Sequence, residues 1–143
     1  MSQLYMLDTN TVSYIVKGMS PNARARLSGL SPGSAACISS ITEGELWYGL
    51  DRIGGGSGRR NALNVFLGQI QVLPWGRGEA AEYGKFRAQQ EAIGCPLGPL
   101  DTQIAAHAIS VGAILVSSDL AFRRAGGLQG LENWATDIVT KGS

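Results

Sequence analysis

Four acidic residues occupy positions from which carboxylates could act together in catalysis. Asp8 follows the apolar stretch Leu4–Leu7, and Asp119 follows the apolar stretch "AILVS". Asp101 and Glu45 lie near the starts of predicted helices. Since the carboxyl ends of parallel strands share one edge of a sheet, these acids are predicted to lie on the same rim. Oxygen-only ligands favour a hard divalent cation, Mg²⁺ or Mn²⁺, which commonly serves phosphoryl chemistry.

Asp101 lies on the wrong face of its predicted helix for a solvated acid. The helix is predicted from Pro99 to Gly112, and the positions in line with Asp101 are small or apolar: Ile104, Ala105, Ala108, Ile109 and Gly112. This stripe is expected to pack on the sheet, where burying a charge is costly unless it is paired or binds a metal. A favourable interaction with the helix dipole is the simpler alternative.

The acid on the helix after the second strand is either Glu43 or Glu45. Ser40 and Glu43 have the spacing of a capping box, and Thr42 and Glu45 have the same spacing. The position of the helix start slightly favours Glu43 as the capping residue, which would leave Glu45 for the site. Spacing alone does not decide between them.

Asp8 and Asp119 also have structural alternatives. Asp8 fits the N-cap of the following helix, and Asp119 fits the cap of a short turn. However, four acids on one rim with no matched lysine or arginine between them repel one another, and a bound cation relieves that repulsion. The set therefore favours a metal site.

The chain offers few residues for any other catalytic chemistry. His107 is the only histidine, and six residues along a helix place it about 240° from Asp101, so we predict a structural role for it. Cys37 and Cys95 are too few and too scattered for a disulfide scaffold or a zinc site. Metal-assisted hydrolysis is the best remaining chemistry.

The overall composition predicts one soluble cytoplasmic domain. The chain has 143 residues, of which 44% are hydrophobic and 16% charged, with a net charge of +1. That charge argues against a surface that coats polyanions generally, but not against a local basic patch. We find neither a signal peptide nor a stretch apolar enough to span a membrane.

Helices alternate with short apolar strands along the chain. The predicted strands cover about residues 4–7, 34–38, 71–73 and 113–117, and the predicted helices cover about residues 11–17, 21–29, 41–53, 61–70, 79–93 and 99–112. This alternation is typical of an α/β fold with a parallel sheet covered on both faces. Gly54–Gly58 is predicted to be a flexible loop, because it lacks the G-x-x-x-x-G-K-[ST] pattern of a phosphate loop.

Several stretches together resemble VapC-type PIN-domain ribonucleases, the toxins of bacterial type II toxin–antitoxin pairs. They are "MLDTN", "SSITEGELWYG", "YGKFRAQQEAIGCPLGPLDTQIAAHA", "LVSSDLAFRRAGGL" and "LENW", which span Tyr5 to Trp134. The resemblance implies a PIN-domain α/β/α sandwich with a short central parallel sheet. It further implies a single domain over residues 1–143, with a core of about residues 4–134.

The resemblance also assigns the acids. It implies that Asp8, Glu45, Asp101 and Asp119 are the catalytic metal ligands, and thus favours Glu45 over Glu43. The family varies between aspartate and asparagine at the position of Asp119. Asn10 is implied to contact the metal ligands without being a ligand itself. The chain departs from the family at "RAGGL", where a proline is common, and at Gly76, where an acid often follows "LPW".

The function implied is Mg²⁺-dependent cleavage of RNA, such as a tRNA, by phosphodiester hydrolysis, with Mn²⁺ as the alternative ion. The resemblance implies a small antitoxin partner and a homodimer. Arg87, Arg123 and Arg124 are predicted near the substrate backbone, although each fits ordinary surface charge as well. Trp47 and Tyr48 are predicted to contact the antitoxin, although Trp47 fits a position in the core equally well.

Two other functions compete with this one. Asp8, Asn10 and Val12 partly match the D-x-D-x-[TV] motif of haloacid-dehalogenase-like phosphatases, but an asparagine cannot act as the general acid. The second alternative is a binding module that keeps the PIN fold without catalysis, against which the intact set of four acids argues.

Overall fold

The computed structural model describes residues 2–136, and its centre is a sheet of five parallel strands. Met1 and residues 137–143 of the predicted domain lie outside the described residues. The strand order is β3-β2-β1-β4-β5. The strands are β1 (Leu4–Leu7), β2 (Ala35–Ser39), β3 (Gln71–Leu73), β4 (Ile114–Val116) and β5 (Leu131–Glu132). The predicted short parallel sheet is therefore confirmed.

Within the described residues 2–136, six α-helices and one short 3-10 helix connect the strands. The α-helices are α1 (Thr9–Val16), α2 (Pro21–Ser28), α3 (Ser40–Arg52), α4 (Ser57–Leu67), α5 (Arg77–Ala92) and α6 (Pro99–Val111), and the 3-10 helix is Leu120–Arg124. Among residues 2–136, no helix combines the length and the apolar character that a membrane crossing requires.

Consecutive residues of the central strands point into two separate cores. Met6 lies in a core with residues of α5 and α6, whereas Leu7 lies in a core with residues of α1, α2 and α4. The pairs Cys37–Ile38 and Leu115–Val116 divide in the same way. Because side chains alternate across a strand, apolar residues at both positions require helices on both faces. The fold is the predicted α/β/α sandwich.

Helices α5 and α6 form an antiparallel pair on one face of the sheet. The Ser110 hydroxyl near the end of α6 donates to Glu79 Oε2 near the start of α5, at 3.0 Å. Helix α6 ends at Gly112, which adopts φ +67°, and the chain then enters β4 directly. The start of α6, with Asp101, is thereby placed at the carboxyl edge of the sheet.

Four helices, α1, α3, α4 and α5, begin earlier than the sequence pattern predicts, and the reason is visible for α1 and α4. Helix α1 begins at Thr9 rather than at Thr11, because Asp8 accepts the Thr11 amide and so caps the helix from outside. Helix α4 begins at Ser57, inside the predicted loop Gly54–Gly58. Gly54 has φ +63°, and this left-handed conformation turns the chain sharply after α3. The residues that follow Gly54 in the glycine-rich stretch can therefore start a new helix.

Candidate functional site

Asp8 is a buried acid at the end of β1. It is 4% exposed, and its Oδ1 accepts the Thr11 amide at 2.9 Å. Its Oδ2 accepts the Ser117 hydroxyl at 2.5 Å. The capping alternative for Asp8 is thus present in the structure. It does not exclude a metal, because a carboxylate has about four acceptor positions and two of them remain.

Ser117 connects the ends of β1 and β4. Its side chain is buried, donates to Asp8 and accepts the Asp119 amide at 3.0 Å. The Asp8 amide also donates to the Val116 carbonyl at 3.0 Å. Ser117 is a residue of the site that was not predicted from the sequence. The signal available was a small hydroxyl residue directly after a buried strand and two residues before an acid.

This junction is the switch point of the sheet. Strands β1 and β4 are neighbours, but the chain continues from β1 towards β2 and from β4 towards β5, on opposite sides. In open parallel sheets such divergence leaves a crevice beyond the strand ends, where ligands bind. Asp8 and Asp119 border that crevice.

Asp119 is exposed and caps the 3-10 helix. Its Oδ1 accepts the Ala121 amide at 2.9 Å, so the capping alternative is present here too. The other carboxylate oxygen takes no hydrogen bond from any residue in 2–136. Asp119 is therefore held at the rim with one oxygen available.

Asp101 completes a group of three interacting acids. It is half-buried in the first turn of α6, behind Pro99. Burial raises its pKa above the ordinary value, and the charges of Asp119 and then of Asp8 raise it further. Since charges influence one another strongly only at short range in a partly buried site, the three carboxylates share one neighbourhood.

Glu45 and Asn10 lie in an adjacent groove of about 910 Å³ between α1, α3 and α4. No residue in 2–136 forms a hydrogen bond or an ion pair with the Glu45 carboxylate. Glu43, in contrast, accepts the indole N–H of Trp47 at 2.9 Å. Of the two glutamates, Glu45 alone has both carboxylate oxygens unbonded among residues 2–136, whereas Glu43 has one oxygen bound to Trp47.

Neither capping box predicted from spacing forms in α3. The helix begins at Ser40, one residue before the expected start, and Ser39 caps it by accepting the Ile41 amide at 3.1 Å. Ser40 instead accepts the Trp75 amide at 3.1 Å, which ties the start of α3 to the chain after β3. The expectation that Glu43 is a capping residue is wrong.

The oxygen atoms that the four acids offer suit a hard cation, although the acids do not form a closed coordination shell. Among residues 2–136, no three His, Cys, Asp or Glu side chains are gathered tightly enough to form a metal shell. Asp8, Asp101 and Asp119 carry like charges that repel one another, and a bound divalent cation would offset that repulsion. All four acids offer only oxygen, and Mg²⁺ and Mn²⁺ prefer oxygen ligands.

His107 is a residue of α6 that lies outside this group of acids, on the side of the helix that faces the core. It is fully buried, and its Nδ1 lies 2.8 Å from the Ser39 hydroxyl oxygen. The Trp75 ring packs edge-on against the imidazole, with centroids 5.6 Å apart. Burial lowers the pKa of His107, and the Glu79 carboxylate partly opposes this. These contacts join α6 to the start of α3 and agree with the predicted structural role.

Loss of stability in mild acid is expected from His107. Since its folded pKa is depressed, the unfolded chain takes up the proton first as pH falls below about 6.5. Between about pH 7 and pH 5, the free energy of unfolding should therefore fall, by at most about 1.4 kcal/mol per pH unit. Urea unfolding across this range measures the slope, and His107→Gln should flatten it. Equal slopes in both proteins would contradict the assignment.

The three predicted RNA-contacting arginines differ in their surroundings. Arg87 donates to the Tyr83 hydroxyl at 3.0 Å and to Glu91 at 3.3 Å, and these bonds raise its pKa. Arg123 and Arg124 lie exposed in the last turn of the 3-10 helix that Asp119 caps. Their side chains form no ion pair with any residue in 2–136. Arg123 and Arg124 are thus the freer cations beside the acids.

The predicted antitoxin contacts, Trp47 and Tyr48, lie on α3. Tyr48 is 59% exposed and lines the groove that contains Glu45. Trp47 is half-buried, with the Arg60 guanidinium over its ring at 5.9 Å. Tyr48 is therefore accessible to a partner, whereas Trp47 is partly covered by the chain itself.

Comparisons with known proteins agree on one family. The family model of the PIN domain matches residues 5–128. The tRNA(fMet)-specific endonuclease VapC of Shigella flexneri is 36% identical over 132 residues, which covers 92% of this chain and 98% of that protein. Ribonuclease VapC2 of Haemophilus influenzae is 36% identical over 131 residues, with 91% and 97% covered.

Solved structures give the same result. The crystal structure of VapBC2 from Rickettsia felis, bound to a DNA fragment from its promoter, contains a chain with a TM-score of 0.86 and 31% identity. The match covers 92% of this chain and 99% of that one. A chain in the DNA-bound VapBC structure from Salmonella typhimurium has a TM-score of 0.83 and 34% identity, with 92% and 98% covered.

Proposed function

Because the chain belongs to the PIN-domain family, and within it to the VapC ribonucleases, we propose that it is an endoribonuclease toxin of a VapBC-type pair. The observation that carries the proposal is the group of three interacting acids, Asp8, Asp101 and Asp119, at the switch point of the sheet. The PIN-domain match argues against the haloacid-dehalogenase alternative.

A divalent ion, Mg²⁺ or alternatively Mn²⁺, would be held by Asp8, Glu45, Asp101 and Asp119. When bound, it supplies an activated water and neutralises charge that develops on the phosphate. Ser117 keeps Asp8 fixed relative to the end of β4 through its two hydrogen bonds. The proposed role of Asn10 is to support these ligands from the start of α1.

The proposed substrate is a structured RNA such as a tRNA. The relative from Shigella flexneri is named a tRNA(fMet)-specific endonuclease, and it aligns over almost its whole length. Arg123 and Arg124 are proposed to contact the RNA phosphates. The proposal is supported by their place on the 3-10 helix that Asp119 caps and by side chains that form no ion pair among the described residues. Unpaired loops of a folded RNA offer the accessible backbone that such a rim requires.

The proposed partners are a small antitoxin and a second copy of this chain. The matched structures are VapBC complexes, which supports an antitoxin. Exposed Tyr48 is proposed as one of its contacts. Size-exclusion chromatography with light scattering tests the homodimer, and a stable monomer at micromolar concentration would exclude it.

Expression of the chain without an antitoxin is expected to arrest bacterial growth. The arrest should depend on the acids, so Asp101→Asn should abolish it, whereas Glu43→Gln should not, because within residues 2–136 the Glu43 carboxylate accepts a hydrogen bond from Trp47 alone. Growth curves and mapped RNA ends from the same cultures measure both effects. Normal growth with a protein that cleaves RNA when purified would contradict the toxin assignment.

A further inference from the structure

We infer that Gln90, at the end of α5, is a positioning residue that fixes the arginine-bearing 3-10 helix beside the acids. The inference rests on the proposed ribonuclease function. Gln90 is 2% exposed, so a polar side chain is buried where a hydrophobic one would be the ordinary choice. Burying a side-chain amide is costly unless its hydrogen-bonding groups are satisfied, so the Gln90 amide requires hydrogen-bond partners.

The Gln90 amide binds three backbone groups in two separate segments. Its Nε2 donates to the Cys95 carbonyl at 2.9 Å and to the Arg124 carbonyl at 2.9 Å. Its Oε1 accepts the Gly126 amide at 3.0 Å. Carbonyl partners require the NH₂ group and an amide partner requires the oxygen, so these contacts also determine the orientation of the side chain.

One of the two segments leads into α6 and Asp101. The chain passes from Cys95 to Gly98, where the Thr102 hydroxyl donates to the Gly98 carbonyl at 2.7 Å and to the Leu97 carbonyl at 3.2 Å. This segment is thus bound both to Gln90 on α5 and to the first turn of α6. The start of α6 keeps the two Thr102 bonds when the bond from Gln90 is lost, so Asp101 is expected to stay in place.

The other segment ends the 3-10 helix that starts at Asp119. Gln90 forms one hydrogen bond with the last residue of this helix, Arg124. It forms a second with Gly126, which lies two residues further along the chain. Its first turn is held by Asp119 and by Ser117. Without Gln90, the end that carries Arg123 and Arg124 loses its polar attachment to α5, whereas the end at Asp119 keeps its own.

The expected consequence is weaker RNA binding with little change in the chemical step. Gln90→Met has a similar length but no hydrogen-bonding groups. Arg124 and Gly126 are exposed and Cys95 is partly exposed, so water can satisfy the three freed backbone groups and the fold survives. The arginine side chains then lose a fixed position, and KM should rise about 10-fold with kcat within about 2-fold of wild type.

A double-mutant cycle tests the coupling directly. Cleavage kinetics are compared for wild type, Gln90→Met, an Arg123→Gln/Arg124→Gln protein, and all three changes combined. If Gln90 acts through the arginines, Gln90→Met should raise KM in the wild-type background and have almost no effect once they are absent. Gln89→Met is the matched control, since Gln89 is the exposed neighbour on the same helix, and it should behave as wild type.

Three results would overturn the inference: an unchanged KM in Gln90→Met, an equal effect with and without the arginines, or a loss confined to kcat. Gln90→Glu is the second variant, because it keeps the acceptor for Gly126 and loses both donors. If neither variant folds, Gln90 serves the fold and the positioning role is rejected. Wild-type protein that fails to cleave RNA with Mg²⁺ would reject the proposed function itself, which separates the two failures.

Discussion

Asp8→Asn is expected to reduce RNA cleavage by at least about 100-fold while leaving the fold intact. Changes that only disturb the support of metal ligands cost about 10- to 100-fold, so loss of a charged ligand should cost at least as much. Asparagine has the shape of aspartate and caps helices equally well. Its oxygen can accept the Thr11 amide and its nitrogen can donate to Ser117, which replaces both bonds seen in the structure.

Asp101→Asn should give the same loss of cleavage with a different effect on stability. Burial and the charges of Asp119 and Asp8 disfavour the ionised form of Asp101, as the raised pKa shows. Removing that charge should therefore maintain or increase the melting temperature in metal-free buffer. Added Mg²⁺ should raise the melting temperature of wild type more than that of either variant, because a ligand stabilises the state it binds.

Cleavage and metal-free stability must be measured together on the two aspartate variants. Retained activity in Asp8→Asn would show that Asp8 is only a helix cap. Lost activity with a large fall in metal-free stability would show instead that the acids hold the structure together. Either outcome would remove the metal-site assignment.

The kcat/KM of Glu45→Gln is expected to be about 100-fold lower than that of Glu43→Gln. Glu45 has no hydrogen-bond or ion-pair partner in 2–136, so its charge is available to a cation, and its loss should impair cleavage strongly. Glu43 is bound to Trp47, and a glutamine oxygen can still accept that bond. Glu43→Gln should keep full activity and lose less than about 1 kcal/mol of stability.

This pair is matched in chemistry, helix and substitution, so a general disturbance of α3 would affect both variants. Steady-state cleavage kinetics at saturating Mg²⁺ give the comparison. A strong loss in Glu43→Gln with normal activity in Glu45→Gln would reverse the assignment of the two glutamates.

Four of the five strands, the layers and the positions of the aspartates were predictable because they depend on local patterns, whereas the two-residue strand β5 is too short to leave such a pattern. Short apolar runs that end in an acid indicated β1 and β4, and the apolar stripe behind Asp101 indicated a helix packed on a sheet. The family resemblance, rather than the spacing, favoured Glu45 over Glu43. The structure adds a physical reason, since Glu43 is already bound to Trp47.

The polar contacts between distant segments were not predictable from the sequence. Ser117 is 109 residues from Asp8, and Gln90 is 34 residues from Arg124, so no local spacing brings either pair together. Gln90 also lies in a helix whose other glutamine, Gln89, is exposed, and its amide is buried against the backbone of Cys95 and Arg124, which local spacing does not bring to it. The start of α4 was misplaced because a glycine-rich stretch indicates a loop even where only Gly54 is needed for the turn.

Cleavage of a purified tRNA by metal-stripped protein tests the central claim most directly. In excess EDTA the protein should leave the RNA intact, and restored Mg²⁺ should return full cleavage to wild type but not to Asp8→Asn. This result follows if the acids at the switch point act by holding a divalent ion. Undiminished cleavage in excess EDTA would contradict the claim.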